Sequence, residues 1–545
     1  MNAGKSFDYV IVGAGSAGCV LTNRLSEDPA TTVLVIEAGG PDRDPWIQIP
    51  LGWGKILTER RHDWMYFTEP EPNCDNRVIE CARGKVLGGS SSINAMAYVR
   101  GHRGDYDRYR QKGCTGWSYA DILPYFKRSE NWMLGEDEYR GDSGPLNSRI
   151  TTFKDPLVQA YLKAGESAGY GITQDYNAEQ NEGFALIQQT IRDGRRCSAA
   201  VAYLRPAMQR SNVSVEVKAM VNRLIWEENR IVGVEYSQGG NNVEVRANKE
   251  VILSGGVINT PQLMMLSGIG PAEELANHGI ESKVNLPGVG QNLQDHLSVM
   301  AEYHRPDPGP FRGNMRFDRA AIMVLRAYFL GTGPGTDLPS GFMAFMKTRP
   351  ELEIPDIQFL VRATTGEAGL WFPGVKKAFE DGFGCRAVML HPESRGEIKL
   401  ASADPCAPMK IYQNFLSTEN DIRTIRDGLK IVRDVAAQSD LDAFRGEENF
   451  PGKDVQTDDE LDAFIRATAL TAHHPLGTCK MGGDDDEMAV VNPECEVRGV
   501  PGLRVIDGSI IPDMVGGNIN APIIAMAERM SDILRGKPTL APAEL

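Results

Sequence analysis

The stretch that most restricts what this chain can fold into lies within its first forty residues. DYVIVG (8–13) is a short apolar run ending in glycine, and GAGSAG then sets Gly13, Gly15 and Gly18 at GxGxxG spacing. CVLTNRL follows with a helical pattern, and TTVLVIEAG is a second apolar run that closes on Glu37. The pattern predicts strand, tight turn, helix and a second parallel strand. Each part has its own physics. Gly13 allows the turn, Gly15 lets backbone approach a pyrophosphate, and Gly18 lets the helix pack against the strand. Ser16 and Ala17 open the helix, whose first N–H groups and positive dipole end suit a phosphate. Glu37 is placed to accept hydrogen bonds from ribose hydroxyls, which disfavours a 2′-phosphate. The unit predicts a dinucleotide and leaves NAD and FAD open.

The rest of the chain sets broad limits. At 545 residues it is too long for one core, so two or more lobes are expected. A net charge of −15 argues against a nucleic-acid partner and against attachment to anionic membranes. No basic segment precedes a long apolar run, and no stretch is long enough to span a bilayer. The expected location is therefore the cytoplasm, at most peripheral to an inner membrane. Nine cysteines without a CxxC pair read as isolated thiols in a reducing compartment, and no metal site is expected.

Four further segments are informative together: RGKVLGGSSSINAMAYVRG (83–101), SGGVINTPQLMMLSGIGP (254–271), AHHPLGTCKMG (472–482) and VIDGSIIPDMVGGNINAPIIAMAE (505–528). With the opening unit, they resemble the glucose–methanol–choline (GMC) oxidoreductases, closest in flavour to bacterial alcohol and choline dehydrogenases. The resemblance implies an α/β fold: a Rossmann-like FAD domain interleaved with an α+β substrate domain, an antiparallel sheet backed by helices. It places the FAD domain at 1–155, 212–305 and 472–545, and the substrate domain at 156–211 and 306–471. The Pro/Gly-rich RPDPGPFRG near 305 suits a boundary.

The same resemblance puts Gly88, Gly89, Ser90 and Asn94 on FAD, Val221 at the adenine through its backbone, and Asp507, Gly508 and Asn520 beside the flavin. Some choline-type relatives bind FAD covalently through a histidine at the position that here is Ile93, so a non-covalent FAD is expected. Alcohol oxidation needs a base for the hydroxyl proton, and histidine titrates in the right range, near ~6.5. The family's proton-accepting histidine maps to His474, with His473 shaping the cavity beside it. Asn518 maps to the partner that holds the alcohol oxygen, with Asn520 as the alternative. His391 is a second candidate base, and His296 reads as structural.

In choline-specific relatives a glutamate balances the quaternary ammonium. Its slot here falls on Gly341, next to Phe342, Met343, Phe345 and Met346. An apolar wall of Phe342, Met343 and Phe345 would favour an aromatic or aliphatic primary alcohol over choline. The expected activity is oxidation of such an alcohol to the aldehyde, with oxygen or a quinone-type acceptor reoxidising the flavin. Choline oxidation is the alternative, as is a lyase or photodecarboxylase on the same fold.

Overall fold

The GxGxxG unit folds as its pattern predicts. The computed structural model describes residues 4–544, and in it Ser6–Val12 and Val33–Glu37 are parallel neighbours joined through the helix Ser16–Leu25. They sit in a seven-stranded sheet ordered 213–217, 33–37, 6–12, 241–253, 230–238, 219–227. The long strand Asn241–Leu253 serves three neighbours, pairing parallel with Ser6–Val12 along one edge. Its first half pairs antiparallel with Arg230–Gln238, and its end pairs parallel with Leu503–Val505. Residues 213–238 thus form one parallel edge strand and an antiparallel hairpin.

The C-terminal helix Asn520–Leu534 packs against Ser16–Leu25, tied by the Arg24–Glu528 pair at 2.8 Å. This packing brings the 516–520 turn over the glycine turn, although the two are five hundred residues apart in sequence. Gly18 shows why the helix needs a glycine. A Cβ there would lie 2.0 Å from the Gly13 carbonyl oxygen.

A second seven-stranded sheet is antiparallel throughout its main path, ordered 448–450, 297–304, 382–389, 357–362, 342–346, 183–186. Leu470–Thr471 also pairs with Leu297–Ser298. The boundary expected at 305 therefore falls one strand too late. LSVMAEYH (297–304) belongs to this sheet, and the Pro/Gly run marks the end of that strand. The chain passes from one sheet to the other just before Leu297 and just after Thr471.

The second sheet alternates cleanly. Val299, Ala301, Ile357, Phe359, Phe383 and Ala387 join the core that packs under the helix Glu419–Ala437, through its Ile425, Leu429, Val432 and Val435. The opposite face presents Met300, Gln358, Leu360, Arg362 and Arg386. An apolar face on a helix and a mixed face turned inward is the arrangement of a site wall. Among the described residues no helix is long and apolar enough to cross a membrane.

The Gly18 geometry gives a test. Gly18→Ala should destabilise the protein by about 1–3 kcal/mol, because backbone oxygen cannot give way cheaply. Gly171→Ala, where a Cβ meets nothing within 4 Å, should leave the unfolding midpoint unchanged. Denaturant unfolding of the two variants reads the difference.

Candidate active site

One large cavity, about 1490 Å³, runs from the glycine turn to the inward face of the second sheet. Its size exceeds that of a single small-ligand site, roughly 300–1,000 Å³. Gly13, Gly15, Ser16, Ala17 and Glu37 line one end, with Gly89, Ser90, Asn94, Val221, Asp507, Gly508 and Asn520 along it and His473, His474 and Asn518 at the other. Fifteen of the expected site residues thus meet in one space, brought from six distant stretches of chain.

The cradle fits a dinucleotide. A Cβ on Gly15 would meet only the Ser254 oxygen at 3.9 Å, so this face of the turn is bare backbone open to a ligand. On Gly13 it would lie 2.4 Å from that same oxygen, which fixes the turn itself. Gly89 packs its backbone on Gly15, where a Cβ would come within 2.8 Å of the Gly15 Cα. Ser16 Oγ donates to Asn520 Oδ1 at 2.7 Å, joining the glycine turn to the C-terminal helix. The Glu37 carboxylate accepts from Ala14 N–H at 2.9 Å and Gly39 N–H at 2.7 Å. Burial pushes its pKa up to about 7, with those two backbone bonds pulling the other way.

Two expected cofactor contacts lie off the cavity. Gly18 is spent on helix packing. Gly88, at φ 87°, donates its N–H to the Ala14 oxygen at 2.8 Å, docking the 84–94 loop on the strand end. The apolar substrate wall also moves. Phe342 faces the helix-side core against Tyr161 and Phe184, while Met343 and Phe345 face inward but are covered by Ala97, Val99 and Tyr176. Gly341 is no substrate slot either, since a Cβ there would strike Val158 at 2.4 Å. The segment just before it, Leu338–Ser340, reaches the cavity instead. Strand alternation and the overlying 97–99 segment are the physical reasons for these differences.

At the far end two imidazoles meet. His296 Nδ1 and His474 Nδ1 are 2.9 Å apart, and His296 Nε2 is 3.1 Å from the Leu390 carbonyl oxygen. A carbonyl only accepts, so His296 carries its proton on Nε2 and offers a lone pair at Nδ1. His474 must then donate from Nδ1, which leaves its Nε2 unprotonated. The other side gives the same answer. Asn518 Nδ2, a donor, is 2.9 Å from His474 Nε2, and Asn518 Oδ1 accepts from Gln358 Nε2 at 3.2 Å. The Leu390 carbonyl fixes this tautomer, and the Asn518 amide is oriented to match it.

Both rings are neutral. Burial pulls the His296 pKa down to about 3. His474 is held well below 6.5 by burial first, then by His296, Arg83 and His473. The expectation of titration near 6.5 is corrected accordingly: a base this deep does not behave as an exposed histidine. His473, also lowered to about 3 by burial and by Arg83 and Arg386, sits at φ 63°. That left-handed backbone costs on the order of 1–3 kcal/mol and is held from two sides. Arg83 donates to the His473 carbonyl. Asp295, buried with its pKa raised to about 6, accepts from His474 N–H at 2.8 Å and from the Thr471 hydroxyl.

His391 is elsewhere. Its Nε2 lies 2.9 Å from the buried Asp105 carboxylate, away from the cavity lining. Sequence reasoning missed two residues, Gln358 and Arg386, and the contact of His296 with His474. The first two had a visible signal: polar side chains at even spacing inside apolar strand runs, IQFLVR and GFGCRAVM.

Known proteins resemble this chain over nearly its whole length. Family models described as GMC oxidoreductase match residues 7–298 and 392–527. The oxygen-dependent choline dehydrogenase of Sinorhizobium medicae is 44% identical over 534 residues, covering 98% of this chain and 96% of that one. Its Vibrio vulnificus counterpart is 43% identical over 544 residues, covering 99% and 96%. Among solved structures, pyridoxine 4-oxidase from Mesorbium loti superposes with a TM-score of 0.87 at 31% identity, covering 98% and 100%. Formate oxidase from Aspergillus oryzae gives 0.90 at 28%, covering 98% and 99%.

The tautomer assignment can be read directly. In ¹⁵N spectra of histidine-labelled protein, one buried ring should be protonated at Nδ1 only and stay neutral down to pH 5. In His296→Leu that ring should lose its single tautomer. A cationic signal for that ring at pH 6, or an unchanged tautomer in the variant, would contradict the chain of bonds.

Proposed function

The chain belongs to the GMC oxidoreductase family, and on that premise we propose that it oxidises a primary alcohol to the aldehyde with His474 as the proton acceptor. It is an FAD-dependent oxidoreductase acting on CH–OH groups. The observation that carries the residue-level reading is the unprotonated Nε2 of His474, which accepts from the Asn518 amide at 2.9 Å. An alcohol oxygen beside this pair receives a hydrogen bond from Asn518 and gives its own proton to Nε2. When bound, FAD supplies the acceptor for the hydride from the carbinol carbon.

Glu37, Gly15, Ser16 and Ala17 would hold the nucleotide end of FAD, with Val221 beside the adenine. Gly89, Ser90, Asn94, Asp507, Gly508 and Asn520 would hold the flavin and its pyrophosphate. Ile93 lines the same space and offers no nucleophile, which supports non-covalent binding. His473 shapes the wall next to the base. Residues 297–304 and 470–471 go with the substrate lobe in this reading, and the 1–155 and 472–545 segments with the FAD lobe.

On the identity of the alcohol, the relatives support choline better than the aromatic or aliphatic alcohol expected from sequence, since they are named for choline. The sequence argument against choline stood on Gly341 and on Phe342, Met343 and Phe345, none of which lines the cavity. Oxygen as the acceptor is supported in the same way by the relatives' names. A reducing compartment such as the cytoplasm suits nine free cysteines, eight of them buried.

His474→Ala should slow anaerobic bleaching of the flavin by about 10²–10⁴ while FAD stays bound. Asn518→Ala should cost less, because it orients the alcohol and does not take its proton. The wild-type rate should stay level as pH falls through 6.5. Protonation stops the base only below its folded pKa, and burial holds that value well under 6.5. A lyase or photodecarboxylase would leave the flavin oxidised under every alcohol, and so would overturn the reading.

A further inference from the structure

Near the base, the cavity wall carries a cation that no carboxylate balances. Arg386 lies in the middle of Gly382–Met389, in register with Met300 on one side and Leu360 on the other. Alternation turns all three to the cavity. Its guanidinium donates from Nη1 to Ser298 Oγ at 3.2 Å, and that hydroxyl donates in turn to the Leu470 carbonyl oxygen at 2.9 Å. Arg362, further along the same face, differs in being paired with Glu302 at 2.6 Å. Among the described residues Arg386 has no ion-pair partner. Burial, with Arg362 beside it, pulls its pKa down to about 10, so it is still cationic at neutral pH.

Charges this deep are paired as a rule, because taking them out of water is costly. An unbalanced guanidinium facing a large cavity next to His473 is therefore a half-made ion pair. Its place relative to the chemistry is set by the sheet. Gln358, which holds Asn518, and Leu360, level with Arg386, are one two-residue step apart, about 7 Å. A small substrate spans that distance.

We propose that Arg386 is an anion-binding subsite for the substrate, so that the alcohol oxidised here carries a carboxylate. The inference rests on the reading that the hydroxyl is taken at His474 and Asn518. It sets this cavity apart from one built for a quaternary ammonium, which Arg386 repels. The planar guanidinium fork matches a carboxylate in two parallel hydrogen bonds, a match an ammonium lysine lacks.

The test uses the holoprotein, titrated with benzoate and hexanoate and with the neutral benzamide and hexanamide. Binding is read by calorimetry and by the shift of the flavin spectrum. The carboxylates should bind at least about 10-fold more tightly than the amides. Arg386→Gln should remove that preference, weakening carboxylate binding by about 10–100-fold, and Arg386→Lys should restore part of it. Ser298→Asp keeps the arginine and gives it an internal counterion, so it too should abolish the preference. In a second arm, 4-(hydroxymethyl)benzoate should bleach the flavin at lower concentration than benzyl alcohol, and choline should do worst.

Equal binding of acids and amides, a preference that survives both Arg386→Gln and Ser298→Asp, or choline as the best reductant would overturn the subsite. If carboxylates bound through Arg386 but no alcohol bleached the flavin, the subsite would stand and the oxidation reading would fall.

Discussion

Everything at the reactive end of this cavity depends on a hydrogen bond between two buried neutral imidazoles. His296 and His474 reach each other because two segments cross between the sheets side by side. Gln294 and Leu476 exchange backbone hydrogen bonds, at 3.1 and 2.9 Å, and Ala472 N–H donates to the His296 oxygen at 2.7 Å. Two of the chain's passages between the sheets lie side by side here, and each carries a histidine. The Leu390 carbonyl, at the end of the strand Gly382–Met389, then decides which nitrogen of His296 holds the proton. That choice propagates to His474. A backbone oxygen in the second sheet thus sets the state of a side chain that faces the first.

The second sheet does more than close the cavity. Its inward face supplies Gln358 to orient the Asn518 amide, Arg386 as an unbalanced cation and Leu360 between them. Because these residues alternate with the ones packed on Glu419–Ala437, the distances between them are fixed by strand geometry. The surrounding electrostatics agree with that role. Arg83 and Arg386 lower the proton affinity of His473, and burial lowers it further in all three imidazoles. A base kept neutral by desolvation is available over a wide pH range.

Much of this was legible in the sequence where one short stretch carries both the structure and the reason for it. The strand, glycine turn, helix and acid of residues 8–37 fold as their pattern predicts, because each glycine answers a local steric demand. The resemblance to known oxidoreductases singled out His474 and Asn518, and the fold brings the two together in one cavity. What the sequence hid depends on which face of a strand is covered. Phe342, Met343 and Phe345 look like a wall but are core, since Phe342 faces the helix side and the 97–99 segment and Tyr176 lie over the other two. The Pro/Gly run after His304 looks like a boundary but only ends a strand. His296 was legible as a structural histidine, yet its partner is 178 residues away, and no local pattern reports such a contact. The depth of the base, and with it the fall of its pKa, is likewise a property of the assembled cavity.

We propose that His296 acts through His474, by keeping its Nε2 unprotonated to take the alcohol's proton. A double-mutant cycle on the anaerobic rate of flavin bleaching tests it most directly. His296→Leu alone should slow the reaction by about 10–100-fold, as the base loses its fixed tautomer. Combined with His474→Ala it should cost nothing more, because there is no longer a base to orient. If the two losses multiplied instead, His296 would be acting on the reaction by a separate route, and the paired-imidazole account would be wrong.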